Sequence, residues 1–301
     1  MMNDEHRLVQ LLLRCWPFPR GAGRIVDRYF SEISFKDDVS TVETTDGFNI
    51  SVPPNDAVGR QIYLTGQFDR SIVEILVAFS TPGDTLLDIG ANLGYVSACF
   101  LKNVADSTVI AVEPQPLIVD LLQKNLHQFG ERQRVFPIAL SDQDGDAWFY
   151  VDPQNKGRSR LVSRAFEGSR QIETRSTQGF LNDLNLERLD LVKIDVEGHE
   201  ESILRAGKEK LKSLQPKIIL FESNQGAAVP FGGGVGLLLN DIGYTVYGLK
   251  KRLLSLSLEP LSSNNHGFYN DCVAISRSRT LPPAAIRAFN LSADILDAEP
   301  A

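Results

Sequence analysis

Cysteine is scarce. The three present, Cys15, Cys99 and Cys272, lie far apart and form no CxxC pair. That excludes a zinc ribbon and a disulfide framework, and free thiols fit the reducing cytoplasm where the chain is expected to work. Surplus positive charge is missing too: 31 Lys and Arg stand against 38 Asp and Glu, for a net charge of −7 and a pI near 5.2. A general nucleic-acid binder would show the opposite balance, so no nucleic-acid partner is expected. The densest basic stretch, GRSRLVSR (157–164), reads as a solvated segment. No apolar run reaches the roughly 18 residues of a membrane span. The opening MMNDEHRLVQLLLRCW carries acids where a secretory signal needs positive charge. Internal repeats and low-complexity tracts are absent, and so is G-x-G-x-x-G, the loop that admits a dinucleotide pyrophosphate.

What is present is an alternation of apolar runs and amphipathic helices. Residues 1–35 suggest one or two short helices broken at PFPRG (17–21), and 40–53 suggests a hairpin turning at Asp46-Gly47. A helix is expected over 69–79. Strands then read at 85–90, 108–113, 134–140, 189–195, 217–223, 244–249 and 271–276, with helices at 95–104, 116–129, 199–213 and 235–242. Such runs joined by helices indicate an α/β protein with a mostly parallel sheet covered on both faces. DAWFYV and QIETRS break the rhythm as the strands of an inserted β-hairpin. The expected organisation is an N-terminal extension over 1–61, one catalytic domain over 62–278, and a helical or loose tail over 279–301.

LLDIGANLGY (86–95) joins the first of the alternating strands to a helix through Gly90 and Gly94. Gly90 permits a sharp turn with no Cβ facing a ligand, Gly94 lets the helix start close to the sheet, and Asn92 tolerates a left-handed backbone. Asp88 ends the strand, where it can orient the loop and a cationic ligand. Glu113 closes the next strand, placed to accept ribose hydroxyls. With no pyrophosphate loop, the ligand expected is adenosine-bearing and poor in phosphate. An Asp-x-Gly-x-x-x-Gly loop with an acid on the second strand is the pattern of S-adenosylmethionine enzymes.

A second concentration of chemistry lies in LVKIDVEGHE (191–200), where an apolar strand ends among Asp195, Glu197, His199 and Glu200. An unpaired buried carboxylate is costly, so a strand ending this way opens into a pocket. Glu222 ends the neighbouring strand KIILFE. Taken in order, LDIGANLGY, AVEPQP (111–116), ALSDQDG (139–145), LDLVKIDVEGHEESIL (189–204) and IILFES (218–223) resemble the FkbM family of methyltransferases. GQFD (66–69) resembles the family's Gly-aromatic-acid motif, with Asp69 where glutamate is usual. The resemblance runs from about residue 62 to 276.

It implies a Rossmann-like class I methyltransferase fold, a seven-stranded sheet with an antiparallel last strand, S-adenosyl-L-methionine as cofactor, and a hydroxyl acceptor on a sugar, glycan or secondary metabolite. Asp88, Gly90, Ala91, Asn92, Gly94, Glu113 and Pro114 match the cofactor-binding motifs. Ala139, Leu140 and Ser141 match the turn that frames adenine, and Asn125 is given a packing role. A hydroxyl needs a base to become a nucleophile, and the candidates are Asp195, Glu197, His199 and Glu222. Asp195 is expected to orient the acceptor hydroxyl or the methionine amine. Glu197 is expected to fix its loop through backbone N–H groups, and Glu200 and Glu201 to favour the start of the next helix. A divalent metal, drawn from Asp195 and Glu222 with His266 or Asp271, is an alternative but is not expected. FGGGVG (231–236) is read as a lid or a plain connector, and 152–160 as an acceptor-recognition loop. Two rivals stand beside this reading: a nucleotide-dependent oxidoreductase resting on Tyr247-x-x-x-Lys251, and a methyltransferase-like scaffold without turnover. A third, methylation of base amino groups, wants an Asn/Asp-Pro-Pro-aromatic turn where this chain has Asp-Val-Glu-Gly. Neither the acceptor nor the oligomeric state is legible.

Overall fold

Period-two alternation explains the centre of the molecule. In neighbouring positions Leu86 and Leu87, Val192 and Leu191, Ile218 and Ile219 point to opposite faces, and every one of them is buried. A strand apolar on both faces needs cover above and below. The computed structural model, which describes residues 4–18, 20–153, 155–223, 234–261 and 269–291, supplies it.

Helices α1 (Asp4–Arg14) and α2 (Ala22–Tyr29) flank the PFPRG break, and strands β1 (Ser40–Glu43) and β2 (Asn49–Val52) form the expected hairpin. Helix α3 (Ala57–Thr65) follows, which the sequence reading does not include. Its signals were there: Asp56 Oδ2 accepts from the Val58 and Gly59 N–H groups at 3.1 and 3.4 Å, and Gly66 ends the helix in the left-handed region. Helix α4 (Arg70–Ala78) leads into β3 (Thr85–Ile89), α5 (Tyr95–Asn103), β4 (Thr108–Val112), α6 (Pro116–Leu126) and β5 (Gln133–Phe136).

At Pro137 the chain leaves the sheet. Residues 134–140, expected as one strand, divide into β5 and β6 (Ala139–Ser141), because proline offers no N–H to a ladder. Strand β6 instead pairs in parallel with β9 (Ser169–Ser176), which pairs with β7 (Gly145–Tyr150), which pairs with β8 (Arg160–Val162). The inserted hairpin is thus half of a four-stranded sheet.

Beyond it come α7 (Thr177–Asp183), β10 (Leu191–Ile194), α8 (Glu200–Ala206) and α9 (Lys208–Leu214). The last two were expected as one helix. They part at Gly207, where a Cβ would lie 2.7 Å from Thr177 Cγ2. Then follow β11 (Ile218–Glu222), α10 (Gly234–Asp241), β12 (Tyr244–Lys251), β13 (Leu256–Pro260), β14 (Asp271–Ser276) and α11 (Pro283–Phe289).

The main sheet has the order β13-β12-β14-β11-β10-β3-β4-β5. Strands β3, β4, β5, β10 and β11 are mutually parallel, and β14 inserts antiparallel between β11 and β12. This is the Rossmann-like class I methyltransferase arrangement, with eight strands among the described residues rather than the seven expected. The added strand, β13, folds back antiparallel on β12 at the sheet edge. One apolar layer joins Leu86, Val109 and Leu191 to Leu13, Val26 and Ile50 of the N-terminal segment, so that segment shares the core of the sheet. The opposite layer joins Leu87, Val192 and Ile219 to residues of α7, α8 and α10. Cys99 and Cys272 are buried and Cys15 is exposed; all three thiols are free. Among the described residues no helix is long and apolar enough to cross a membrane. Strand order reverses at β3, with β4 on one side and β10 on the other, and a crevice forms beyond the carboxyl ends of strands at such a point.

Candidate active site

A cavity of about 460 Å3 occupies that crevice, within the usual range for a small-molecule site. Gly90, Asn92 and Gly94 all take positive φ, at 78°, 49° and 81°. The reason for glycine at 90 differs from the one expected. A Cβ there would lie 1.9 Å from the Asp195 carbonyl oxygen, so the bare Cα lets the β3 turn rest on the β10 turn. At Gly94 a Cβ would meet Leu122 Cδ1 at 2.6 Å; the close approach is between α5 and α6 rather than to the sheet.

Glu113 is almost wholly buried and lines the cavity with Ala91, Asn92 and Pro114. Its Oε2 accepts from the Asn92 N–H and its Oε1 from the Gln115 N–H, each at 3.0 Å. Burial outweighs those two donors and raises its carboxyl to about 7. Each carboxylate oxygen keeps a further acceptor site. Ala139 and Leu140 line an apolar wall with Ile138 and Phe149, while Ser141 stands behind it and meets His199 Nε2 at 3.0 Å. Asn125 is a packing residue, as expected: it binds Ser51 on both backbone groups and the Leu93 carbonyl.

Asp88 does not reach the cavity. It is fully buried behind the loop, accepting from Ser97 Oγ at 2.6 Å and paired with Lys193 Nζ at 3.1 Å. Lys193 also donates to the Gly90 carbonyl at 3.2 Å and lies 3.5 Å from Asp195 Oδ2. Burial opposes its charge, yet the surrounding Asp88, Asp195 and Asp69 outweigh that and raise its pKa. Reading the sequence assigned Lys193 no role. The signal was a lysine inside an apolar strand, which only a buried counter-charge tolerates.

Asp195, Glu197 and Glu222 converge, with one carboxylate oxygen from each lying within 4.8 Å of the others. Partial burial and then the neighbouring Asp195, Glu197, Glu200 and Asp271 raise Glu222 to about 8. Glu197 is raised as well, by burial first and Asp195 second. The task expected of Glu197 belongs to Glu200, whose Oε1 accepts from the Val196 and Gly198 N–H groups at 3.2 Å. Glu197 itself sits at φ 55°, a strained value for a residue with a side chain, and lines the cavity. His199 lines it too, and burial lowers its pKa.

Asp69, quoted in the sequence motif without a role, stands at the junction of this cavity with its neighbours. Burial raises its carboxyl to about 6. Of the metal ligands considered, Asp271 is paired with Lys251 at 2.8 Å, and His266 lies outside the described residues, as do 231–233 of the glycine-rich segment. The three carboxylates are the oxygen donors a hard cation would take. Tyr247 and Lys251 both lie on β12, not on a helix, so the oxidoreductase spacing is not realised.

Residues 88–246, more than half of the 301-residue chain, match the profile of the methyltransferase FkbM domain. The chain belongs to the FkbM methyltransferase family. The FkbM segment contains the glycine turn, Glu113, Lys193 and the three converging acids. Two curated relatives are 2-O-methyltransferase NoeI of Sinorhizobium fredii, 29% identical over 158 residues, and hexuronic acid methyltransferase AglP of Haloferax volcanii, 29% identical over 151. The matches cover 47% and 50% of this chain and 63% and 61% of those proteins, so the FkbM chain spans a little under two thirds of their lengths. Among solved structures, M. jannaschii TYW2 in complex with AdoMet aligns at a TM-score of 0.42 and 12% identity, covering 81% of this chain and 87% of that one.

Proposed function

We propose that this chain is an S-adenosyl-L-methionine-dependent O-methyltransferase acting on a hydroxyl of a sugar, glycan or related small molecule, with residues 62–278 as its catalytic domain. The observation that carries the reading is the placement of Glu113 and the Asp195, Glu197 and Glu222 trio on one cavity at the strand-order switch. The residues fit that cofactor. Glu113 offers acceptor sites to ribose hydroxyls, Ile138, Leu140 and Phe149 offer an apolar wall to a flat base, and the acids favour a cationic sulfonium. The two relatives reported above are methyltransferases, one named for 2-O-methylation and one for hexuronic acid.

When bound, the cofactor supplies an electrophilic methyl group on sulfur. The chain's own residues do the rest. Asp195 accepts a hydrogen bond from the acceptor hydroxyl and is itself steadied by Lys193. Glu222, whose proton affinity is raised by its acidic neighbours, takes the hydroxyl proton as the oxygen gains the methyl group. Holding the oxygen in line at contact distance supplies a large part of the rate, on the order of 7–11 kcal/mol in the best intramolecular cases. Calorimetry with S-adenosylhomocysteine and methyl transfer from tritiated S-adenosylmethionine into a hydroxylated acceptor pool test the reading. Binding with turnover is expected; no binding would overturn it, and binding without turnover would leave a scaffold.

A further inference from the structure

A second chamber of about 850 Å3 adjoins the cofactor cavity, sharing Asp27, Gln61, Phe68 and Asp69 with it. Every residue on its wall lies outside the FkbM segment 88–246: α2, α3, the start of α4, the β12–β13 turn and the residues before β14 build it. Its charge runs against that of the molecule. Six basic and four acidic side chains line it, in a chain of net charge −7.

Four of those six cations are occupied. Arg20 pairs with Glu74, Arg70 with Asp46 at 3.5 Å, Lys250 with Glu259 at 2.8 Å and Lys251 with Asp271 at 2.8 Å. The guanidinium groups of Arg24 and Arg252 form no hydrogen bond or ion pair among the described residues, and both residues are exposed. Both line this one chamber, where the segment leading into α2 meets the β12–β13 turn. There Arg20 Nη1 donates to the Arg252 carbonyl at 3.4 Å, and a Cβ on Gly21 would lie 3.2 Å from Leu253 Cδ1. Helix α2 also begins on this chamber, with neither a side-chain cap nor an acid in its first turn. The N–H groups it presents add to the positive potential.

The two cavities together form a bipolar groove: carboxylates beside the reacting centre, and beyond Asp69 a wall where two unpaired guanidinium groups outnumber the single carboxylate of Asp27. A neutral acceptor would use only the acid end, through its hydroxyl, and an anionic group placed at that end would be repelled. We infer that the methyl acceptor carries an anionic group, a phosphate or a carboxylate, which binds in the outer chamber at Arg24 and Arg252 while its hydroxyl reaches Asp195 and Glu222. The inference rests on the methyltransferase reading and adds the charge class of the acceptor to it. Guanidinium suits either anion, since its planar fork matches both bidentately.

The test titrates glucose 1-phosphate, glucuronate and glucose into the full-length protein saturated with S-adenosylhomocysteine, followed by calorimetry at low and high salt. One or both anions should bind, more weakly as salt rises, and glucose should not. Which of the two binds tells phosphate from carboxylate. In the Arg24→Ala/Arg252→Ala variant the anion should bind about tenfold more weakly or worse, with affinity for S-adenosylhomocysteine within twofold of wild type. That second measurement also certifies that the variant is folded. Anion binding unchanged in the variant, or absent from the cofactor-loaded wild type, overturns the inference and leaves the methyltransferase reading intact. Failure of S-adenosylhomocysteine to bind the wild type overturns both.

Discussion

Glu113 and Glu222 carry the most informative side-chain chemistry, because burial moves their titration to where enzymes work. Glu113 is raised to about 7, and in the proposed function it is the ionised form that would accept from two ribose hydroxyls. Affinity for S-adenosylhomocysteine should therefore fall as pH drops through 7. Glu113→Gln should weaken binding by about 1.5–3 kcal/mol, on the order of 10- to 100-fold, and flatten that pH dependence; calorimetry across pH 5.5–8.5 reads both. Glu222, raised to about 8, must be ionised to take a proton, so the methyl-transfer rate should climb with pH through about 8. Glu222→Gln should lower kcat by roughly 10²- to 10⁴-fold and remove that limb. The same raised pKa acts on the fold: the stabilisation from protonated Glu222 is complete below the ordinary carboxylate range and is lost as pH rises through about 8. The urea midpoint should accordingly decline from about pH 5 up to about 8, less so in Glu222→Gln. Lys193 is the structural counterpart. Lys193→Met strands the fully buried Asp88 without its ion-pair partner, and should cost roughly 3–5 kcal/mol in urea unfolding. Adding Asp88→Asn should recover part of it.

Among the elements, the β10–α8 connection decides where the acids point. Glu200 holds it by accepting from two backbone N–H groups, and Glu197 tolerates a left-handed backbone within it. Glu200→Ala leaves those N–H groups without an acceptor and should cost about 1–3 kcal/mol. Thermal unfolding measures the loss, and faster hydrogen exchange at Val196 and Gly198 locates it. The sequence made much of this scale legible. Apolar runs on both faces announced the parallel strands, and Asp46-Gly47 announced the hairpin. What stayed hidden depends on contacts remote in sequence. Gly90 looked like a ligand-facing glycine, and only the fold reveals the Asp195 carbonyl against it. Glu197 and Glu200 are interchangeable as letters; backbone geometry at Gly198 decides which one turns back to the loop. Pro137 was a readable break within 134–140, but the partner waiting for β6, strand β9, lies more than thirty residues on.

For the whole molecule, the shared core matters more than the partition of the chain. Leu13, Val26 and Ile50 belong to the apolar layer that covers the sheet, and Asn125 ties β2 to the glycine turn. The N-terminal segment should then unfold with the sheet rather than before it. Trp148→Phe leaves Trp16 as the single tryptophan reporter of that segment; its fluorescence midpoint in urea should coincide with the far-UV dichroism midpoint. The sequence reading treated this segment as an appendage because short amphipathic helices do not say what they lean on. The outer chamber was unreadable for the same reason, since Arg24 and Arg252 are 228 positions apart and come to line one chamber only through packing.

One ammonium group, that of Lys193, holds the carbonyl of the glycine turn on one side and the carboxylate of Asp195 on the other. In the proposed function, a cofactor resting on the glycine turn and an alcohol held by Asp195 would be linked through this ammonium group. By reciprocity the free energy of that linkage is the same in both directions. On the proposed reading, cofactor and acceptor are thus partners in each other's binding, joined by a single, nearly buried side chain on the wall they share.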